Sequence, residues 1–159
     1  MSEKTLVYVI LGAAGSGRRE VLADLIEGGL AEDDRAAVLL SDAEVPDALD
    51  TQLPNLTRWT WTGDSIDASF PPDATHVFLV TDGRTNPVDQ LEAAVAWLPM
   101  QGAELARILC VVNCQLAEKH PPLLAWYEAC VHFSDVVLLT KREGVGNKWL
   151  SDFRAHFDG

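Results

Sequence analysis

A glycine-rich segment near the N-terminus limits the possible folds of this chain more than any other feature. It reads Gly-Ala-Ala-Gly-Ser-Gly-Arg-Arg at positions 12–19, between the apolar run Leu6 to Leu11 and an amphipathic segment that starts at Val21. A glycine-rich turn between a strand and a helix directs several backbone N–H groups to one point, where the helix dipole adds positive potential. The segment therefore predicts a strand, loop and helix that together can hold an anion.

The end of this segment departs from the usual phosphate-binding loop, in which lysine and then serine or threonine follow the last glycine. Arg18 stands at the lysine position and Arg19 at the hydroxyl position. Arginine keeps the charge, but its planar fork cannot enter the loop as an ammonium does. Arg19 replaces a hydroxyl ligand of Mg²⁺ with a cation. The alternative is that both arginines are merely solvated. The predicted phosphate-binding residues are Gly12, Gly15, Ser16, Gly17, Arg18 and Arg19.

A second apolar run ends in an acidic residue. Val77 to Thr81 is followed by Asp82 and Gly83. This is the form of the strand whose carboxylate holds Mg²⁺ in phosphate-binding loop proteins, directly or through water. An Asp-Gly turn that simply ends a core strand is the alternative. We expect Asp82 to be the residue that would hold Mg²⁺ at this site.

A third polar segment follows an apolar strand near the C-terminus. Ser134 and Asp135 precede four apolar residues and then Thr140, Lys141, Arg142 and Glu143. The segment resembles the strand and base-reading loop of GTPases, usually Asn-Lys-x-Asp. The resemblance implies a base-binding role for Thr140, Lys141 and Glu143. Glu143 is longer than aspartate by about one bond length, so guanine selectivity is expected to weaken.

With the segments 82–87, 109–113 and 41–48, these motifs resemble the nucleotide-binding domain of the CobW-like family. That family comprises metallochaperone GTPases related to the urease and hydrogenase accessory proteins. The resemblance covers roughly residues 5–143. It implies GTP or ATP as the ligand. The metal-binding Cys-x-Cys-Cys segment of the family would fall near residues 58–61, which contain no cysteine, so we expect no structural zinc and no metal held by cysteine.

Strand-like and helical segments alternate, which predicts an α/β fold in three layers with a mainly parallel sheet of about six strands, of the P-loop NTPase type. Thr57 to Thr62 alternates, with Trp59 and Trp61 on one face, and is predicted at an edge. The expected strands are 6–11, 36–40, 57–62, 76–81, 107–113 and 135–140. The expected helices have apolar stripes at 21–26, 91–98, 121–133 and 149–157, the first ending at Gly28 and Gly29 and the second at Pro99.

Length and charge limit the function classes. The 159 residues predict a single domain, 1–159. A net charge of −12 disfavours nucleic acid as a partner. No apolar run approaches the roughly 18 residues of a membrane span, and no secretory leader is recognised at the N-terminus. We therefore expect a cytoplasmic protein that does not insert into membranes.

The cysteines are predicted to be core thiols. Cys110 and Cys114 are placed in or at the end of one strand, where four residues span about 13 Å, too far for a bridge or a shared metal. Cys130 lies in a helical segment. Free cysteine is commonly buried.

Three functions are consistent with the sequence. The first is a degenerate CobW-like domain that binds nucleotide or phosphate weakly, with little or no hydrolysis. The second is an interaction module of the same fold without a nucleotide, which would use Trp59 and Trp61 as a protein-partner surface. The third is an active GTPase or small-molecule kinase.

Overall fold

The structure is a computed structural model that describes residues 5–12, 17–29, 33–43, 46, 48–68, 73–82, 87–140 and 143–158. Within these ranges, no helix combines the length and the apolar character needed to cross a membrane.

Strands and helices alternate along the described ranges. The strands are β1 Thr5–Leu11, β2 Ala36–Ser41, β3 Thr57–Trp61, β4 Ile66–Asp67, β5 His76–Val80, β6 Ala103–Asn113 and β7 Val136–Thr140. The α-helices are α1 Arg18–Gly29, α2 Pro87–Trp97, α3 Cys114–Lys119, α4 Pro121–His132 and α5 Asn147–Asp158, with 3₁₀ turns at Ala48–Gln52 and Leu98–Gln101.

The strands form one sheet in the order β4-β3-β2-β5-β1-β6-β7. Every pairing is parallel except that of β3 with β4. The predicted α/β class and mainly parallel sheet are confirmed. The sheet has seven strands rather than about six, because Ile66–Asp67 adds a strand of 2 residues that carries no periodic signal.

The edges of the sheet are formed by β4 and β7. β3, which is predicted at an edge, lies one position inside it, since β4 pairs with it through Thr60 and Trp61. The apolar strand β7 has no fully buried residue. Apolar composition cannot distinguish these positions, because an edge strand that packs on one neighbour and one helix layer can be as apolar as a central one.

Helices cover both faces and complete three layers. On one face, Leu22 of α1 packs with strand residues such as Ile10 and Phe78. The other face carries α2, α4 and α5, whose buried residues include Leu91, Tyr127 and Phe153. Central strands are buried on both faces; β2, for example, is buried throughout. This pattern explains why the central strands are continuous apolar runs.

The end of α1 at Gly29 is confirmed, and helix boundaries depart from the prediction at two places. Pro99 lies inside the 3₁₀ turn Leu98–Gln101, which is capped by Gly102 with a φ of 68°. The short helix α3 was not predicted; it begins after Asn113, whose side-chain oxygen accepts a hydrogen bond from Leu116 N–H at 3.1 Å. That side chain satisfies an otherwise unpaired N–H of the first turn.

The three cysteines are buried and none forms a disulfide, as predicted. Cys114 begins α3 rather than ending a strand. A hydrogen bond with Cys130, together with burial, raises the pKa of the Cys110 thiol far above its ordinary value. Cys110 therefore remains a neutral core side chain.

Candidate phosphate-binding site

The candidate site lies at the edge of the sheet where the parallel strands end. β1 ends at Leu11 beside Gly12, β5 ends at Val80 beside Thr81 and Asp82, and β7 ends at Thr140. In open α/β sheets, ligands bind at this carboxyl edge where neighbouring connections diverge. The sheet order places β1 between β5 and β6. The predicted loop therefore starts in the middle of the sheet.

Gly12 and Gly17 bracket the loop and both need glycine. Their φ angles are 146° and 89°, values that side-chain-bearing residues rarely adopt. The Gly17 carbonyl accepts the Val21 N–H at 3.1 Å, which closes the first turn of α1. A Cβ at Gly17 would lie 3.9 Å from Thr140 Oγ1. The loop thus ends beside the candidate base-binding strand.

Arg18, the first residue of α1, is enclosed. Arg18 is only 5% exposed. Its Nη1 donates a hydrogen bond to the carbonyl oxygen of Thr81. The alternative that both arginines are solvated is therefore wrong. The guanidinium connects the start of α1 to the end of β5.

Arg19 is paired with an acid. Its Nε lies 3.3 Å from Asp50 Oδ1, in the 3₁₀ turn Ala48–Gln52. The other carboxylate oxygen of Asp50 lies 3.4 Å from Arg58 Nη2, and Arg58 Nη1 donates to the Ser41 carbonyl at 2.9 Å. One carboxylate thus joins α1, the segment between β2 and β3, and β3 itself.

Asp82 is buried and held by Gln90 of α2. The Asp82 N–H donates to Gln90 Oε1 at 3.1 Å, and Gln90 Nε2 donates to Asp82 Oδ2 at 3.0 Å. Asp82 is 7% exposed and Gln90 1%. This reciprocal pair fixes the carboxylate at the end of β5.

Of the candidate base-binding residues, Thr140 is the last residue of β7 and Glu143 follows that strand. The Thr140 hydroxyl donates to the Val112 carbonyl at 3.2 Å, so it faces β6. The backbone carbonyl of Glu143 accepts from Gln115 Nε2 at 2.7 Å, while the residue itself is exposed. Gln115 of α3 therefore holds the backbone at Glu143.

Gly15, Ser16 and Lys141 lie outside the described residues, so their predicted roles remain predictions. Sequence reasoning missed three side chains that organise the site: Gln90, Asp50 and Arg58. Gln90 carried a usable signal, because it is a polar residue on the same apolar stripe as Leu91 and Ala94. A polar residue at a core position needs a hydrogen-bond partner.

Within the described part of the chain, no three histidine, cysteine, aspartate or glutamate side chains come close enough together to hold a metal ion.

No family sequence model matches the chain, and no curated protein sequence does. Several solved structures, however, superpose on the chain. Zn(II)-bound YjiA GTPase from E. coli superposes with a TM-score of 0.61 at 17% identity, over 96% of this chain and 54% of that one. The hydrogenase maturation factor HypB from Archaeoglobus fulgidus gives 0.62 at 14% identity, over 96% and 76%. This chain thus spans about half the length of YjiA.

A third similar structure is the signal recognition particle receptor FtsY from Elizabethkingia anophelis in complex with GDP, with a TM-score of 0.58 at 14% identity over 100% of this chain and 55% of that one. The resemblance expected from the sequence is confirmed at the level of the fold, because YjiA and HypB are P-loop GTPases of the CobW and hydrogenase accessory type. The chain therefore has the P-loop GTPase fold that these proteins share.

Proposed function

We propose that this chain is a degenerate CobW-like domain that binds GTP, ATP or phosphate weakly in the loop from Gly12 to Arg19, with little or no hydrolysis. The main support is the loop's geometry. Two positive-φ glycines bracket it, and it leads into the N-terminus of the 12-residue helix α1. Backbone N–H groups and the helix dipole at such a terminus favour an anion even without side-chain help.

The weak hydrolysis follows from the side chains that replace the usual ones. Phosphoryl transfer needs a hydroxyl and an acid to hold the metal and a flexible cation to reach the phosphates. Here Arg19 is engaged with Asp50, and Arg18 with the Thr81 carbonyl. Neither side chain reproduces the chemistry of the residue it replaces. Binding is therefore expected to survive better than catalysis.

A thermal unfolding assay with GTP, ATP and inorganic phosphate tests binding. A ligand at about ten times its dissociation constant stabilises the folded state by about 1.4 kcal/mol. We expect a modest rise in Tm. No rise with millimolar nucleotide, with or without Mg²⁺, would exclude the proposal.

Two glycine variants locate the binding. Gly17→Ala and Gly63→Ala both introduce a side chain at a positive φ, 89° and 102°, so both should lower the Tm of the free protein. Only Gly17 belongs to the loop. We expect Gly17→Ala to abolish the nucleotide-induced rise and Gly63→Ala to keep it.

An interaction module without nucleotide is the second candidate. It is favoured by the internal hydrogen bonds of the carboxyl edge, where Asp82, Gln90 and Arg18 already satisfy one another or the backbone. The predicted partner surface of Trp59 and Trp61 is wrong, because Trp59 is fully buried. The absence of any nucleotide response would favour this candidate.

An active GTPase or small-molecule kinase is the third candidate. Its signature would be phosphate release above the blank that disappears in Asp82→Ala, since that carboxylate is the acid at the end of β5. We expect no such release.

A further inference from the structure

The two faces of the sheet differ in how many helices cover them. The buried apolar residues of α2, α4 and α5 join the core on one face. Among the described residues, α1 is the only helix whose buried side chain joins the core on the other face, where Leu22 packs with Ile10 of β1 and Phe78 of β5. We call this second face the α1 face. Strands β6 and β7 follow β1 in the sheet, so they lie beyond the strands on which Leu22 packs.

Apolar side chains of β7 lie on the α1 face and are incompletely covered. Val136 pairs in register with Leu109 of β6, and Leu138 pairs with Val111 in the same way. Both partners belong to the core under α1, and side chains paired across neighbouring strands point to the same face. Val136 is 37% exposed, whereas Leu109 is 8% and Val111 0% exposed. The cover therefore decreases from β6 to the edge strand.

Helix geometry shows which side of α1 faces β6 and β7. Successive residues of a helix are turned by about 100°, so Arg19 and Leu25 lie about 60° from Leu22 on opposite sides of it. Arg19 is paired with Asp50, in the 3₁₀ turn between β2 and β3. Those strands lie on the other side of β5 from β6 and β7. Leu25, which is 37% exposed, is therefore turned toward β6 and β7.

The space between Leu25 and β7 has the dimensions of one helix. Leu25 lies about 10 Å along α1 from the carboxyl edge of the sheet, and Val136 lies about 13 Å along β7 from the same edge. The two exposed side chains are therefore at similar heights. Adjacent strands lie about 4.8 Å apart, so β6 and β7 together are about 10 Å wide, close to the diameter of a helix. We call this space the α1–β7 groove, lined by Leu25, Leu109, Val136 and Leu138.

The charge around the groove is mainly negative. Asp24 and Glu27 of α1 and Asp135, just before β7, are exposed, as is one base of β6, Arg107. The whole chain carries a net charge of −12. A second copy of the chain would bring the same excess of negative charge to this surface, whereas a basic segment would be attracted to it. Charge complementarity therefore favours a basic partner over self-association.

We propose that the α1–β7 groove binds one amphipathic helix of a partner protein, with an apolar stripe that packs on Leu25, Val136 and Leu138 and with lysine or arginine beside that stripe. Apolar residues three or four positions apart form such a stripe, which is how helices bind to apolar grooves. Binding would remove the exposed apolar side chains from water. The groove is separate from the loop that begins at Gly12, so this function goes beyond nucleotide binding and does not depend on it.

Two dye-labelled synthetic peptides of about 14 residues test the groove without nucleotide. The first has leucine at helical spacing and lysine at the other positions. The second contains the same residues in an order that has no helical stripe, so its charge is identical. We expect the first peptide to bind about tenfold more tightly or better, measured by fluorescence anisotropy. Equal affinities would mean that charge alone attracts the peptides and would overturn the proposal.

A matched pair of variants locates the binding. Leu25→Gln removes an apolar side chain from the groove without adding charge. Val95→Gln is the control, because Val95 is 47% exposed on α2, whose buried residues join the core on the other face. We expect Leu25→Gln to weaken binding of the striped peptide about fivefold or more and Val95→Gln to leave it unchanged. Equal effects of the two variants would contradict binding in the groove.

Light scattering tests a second copy of the chain as the occupant. We expect the wild-type protein and Leu25→Gln to have the same monomeric mass, and the striped peptide to bind the wild type in a ratio of one to one. A wild-type dimer that Leu25→Gln dissociates would assign the groove to self-association and overturn the proposal of a partner helix.

Discussion

Trp59 demonstrates how a single residue can have a role that its sequence neighbourhood does not suggest. The alternating pattern of β3 places it with Trp61 on one face, and the structure confirms that pattern: Trp59 is fully buried and Trp61 packs partly against the same core. The Trp59 indole N–H donates to the Val80 carbonyl at 2.9 Å. Trp59 therefore acts as a core residue that links β3 to the end of β5.

We predict that Trp59→Phe lowers the free energy of unfolding by about 1–3 kcal/mol, because it removes a buried hydrogen bond and leaves a cavity. Trp61→Phe is the control; since Trp61 is only partly buried, its cost should be about 1 kcal/mol or less. Urea unfolding measures both. Equal costs would show that the indole hydrogen bond contributes little.

At the scale of the elements, the pairing of Asp50 with two arginines links three separate segments of the chain. Arg19 is at the start of α1, Asp50 in a 3₁₀ turn and Arg58 in β3. The side chains of Arg19 and Asp50 are 15% and 17% exposed. Partial burial weakens solvent screening, so this cluster should contribute more than a surface ion pair does.

We predict that Asp50→Asn destabilises the fold by about 1–2 kcal/mol, because it leaves two neighbouring guanidinium groups without their shared acid. Asp67→Asn, at an exposed position of β4, should change stability by about 0.5 kcal/mol or less. Chemical denaturation at low and high salt measures both variants. A cost for Asp50→Asn that matches the control would mean that the pairs are only surface contacts.

At the scale of the whole molecule, the core spans both faces of the sheet and encloses every thiol. All three cysteines are buried, and the raised pKa of Cys110 keeps that thiol protonated. A thiolate, not a thiol, attacks disulfide reagents. Reaction with such a reagent therefore depends on opening of the fold.

We predict that an aromatic disulfide reagent modifies none of the three thiols in the folded protein within minutes, and all three after denaturation. Ser151→Cys, at an exposed position of α5, should react at once and serves as the positive control. Rapid modification of a wild-type thiol at neutral pH would contradict this burial.

Since the pKa of Cys110 is higher in the folded than in the unfolded state, the free energy of unfolding should fall as the pH rises past 9.0.

At the candidate site, the sequence places the loop glycines and the strand-end acid along the chain, while their role in binding stays a prediction. Gly12 and Gly17 could be recognised because a tight loop between a strand and a helix requires glycine at positions of positive φ. Both residues have positive φ angles. Asp82 could be placed at a strand end because it follows an apolar run. Gln90, by contrast, is eight positions further along and belongs to another element, so its pairing depends on how α2 lies against the sheet.

The sequence by itself determined the α/β alternation, the central apolar strands and the glycine loop, because each depends on contacts or conformations within a few residues. The tertiary structure alone decided the order of the strands, which placed β7 at an edge and β3 inside one. It also decided the directions of Arg18 and Arg19, which turn to Thr81 and Asp50. Their acceptors lie 63 and 31 positions away along the chain, so only folding brings them within reach of the loop.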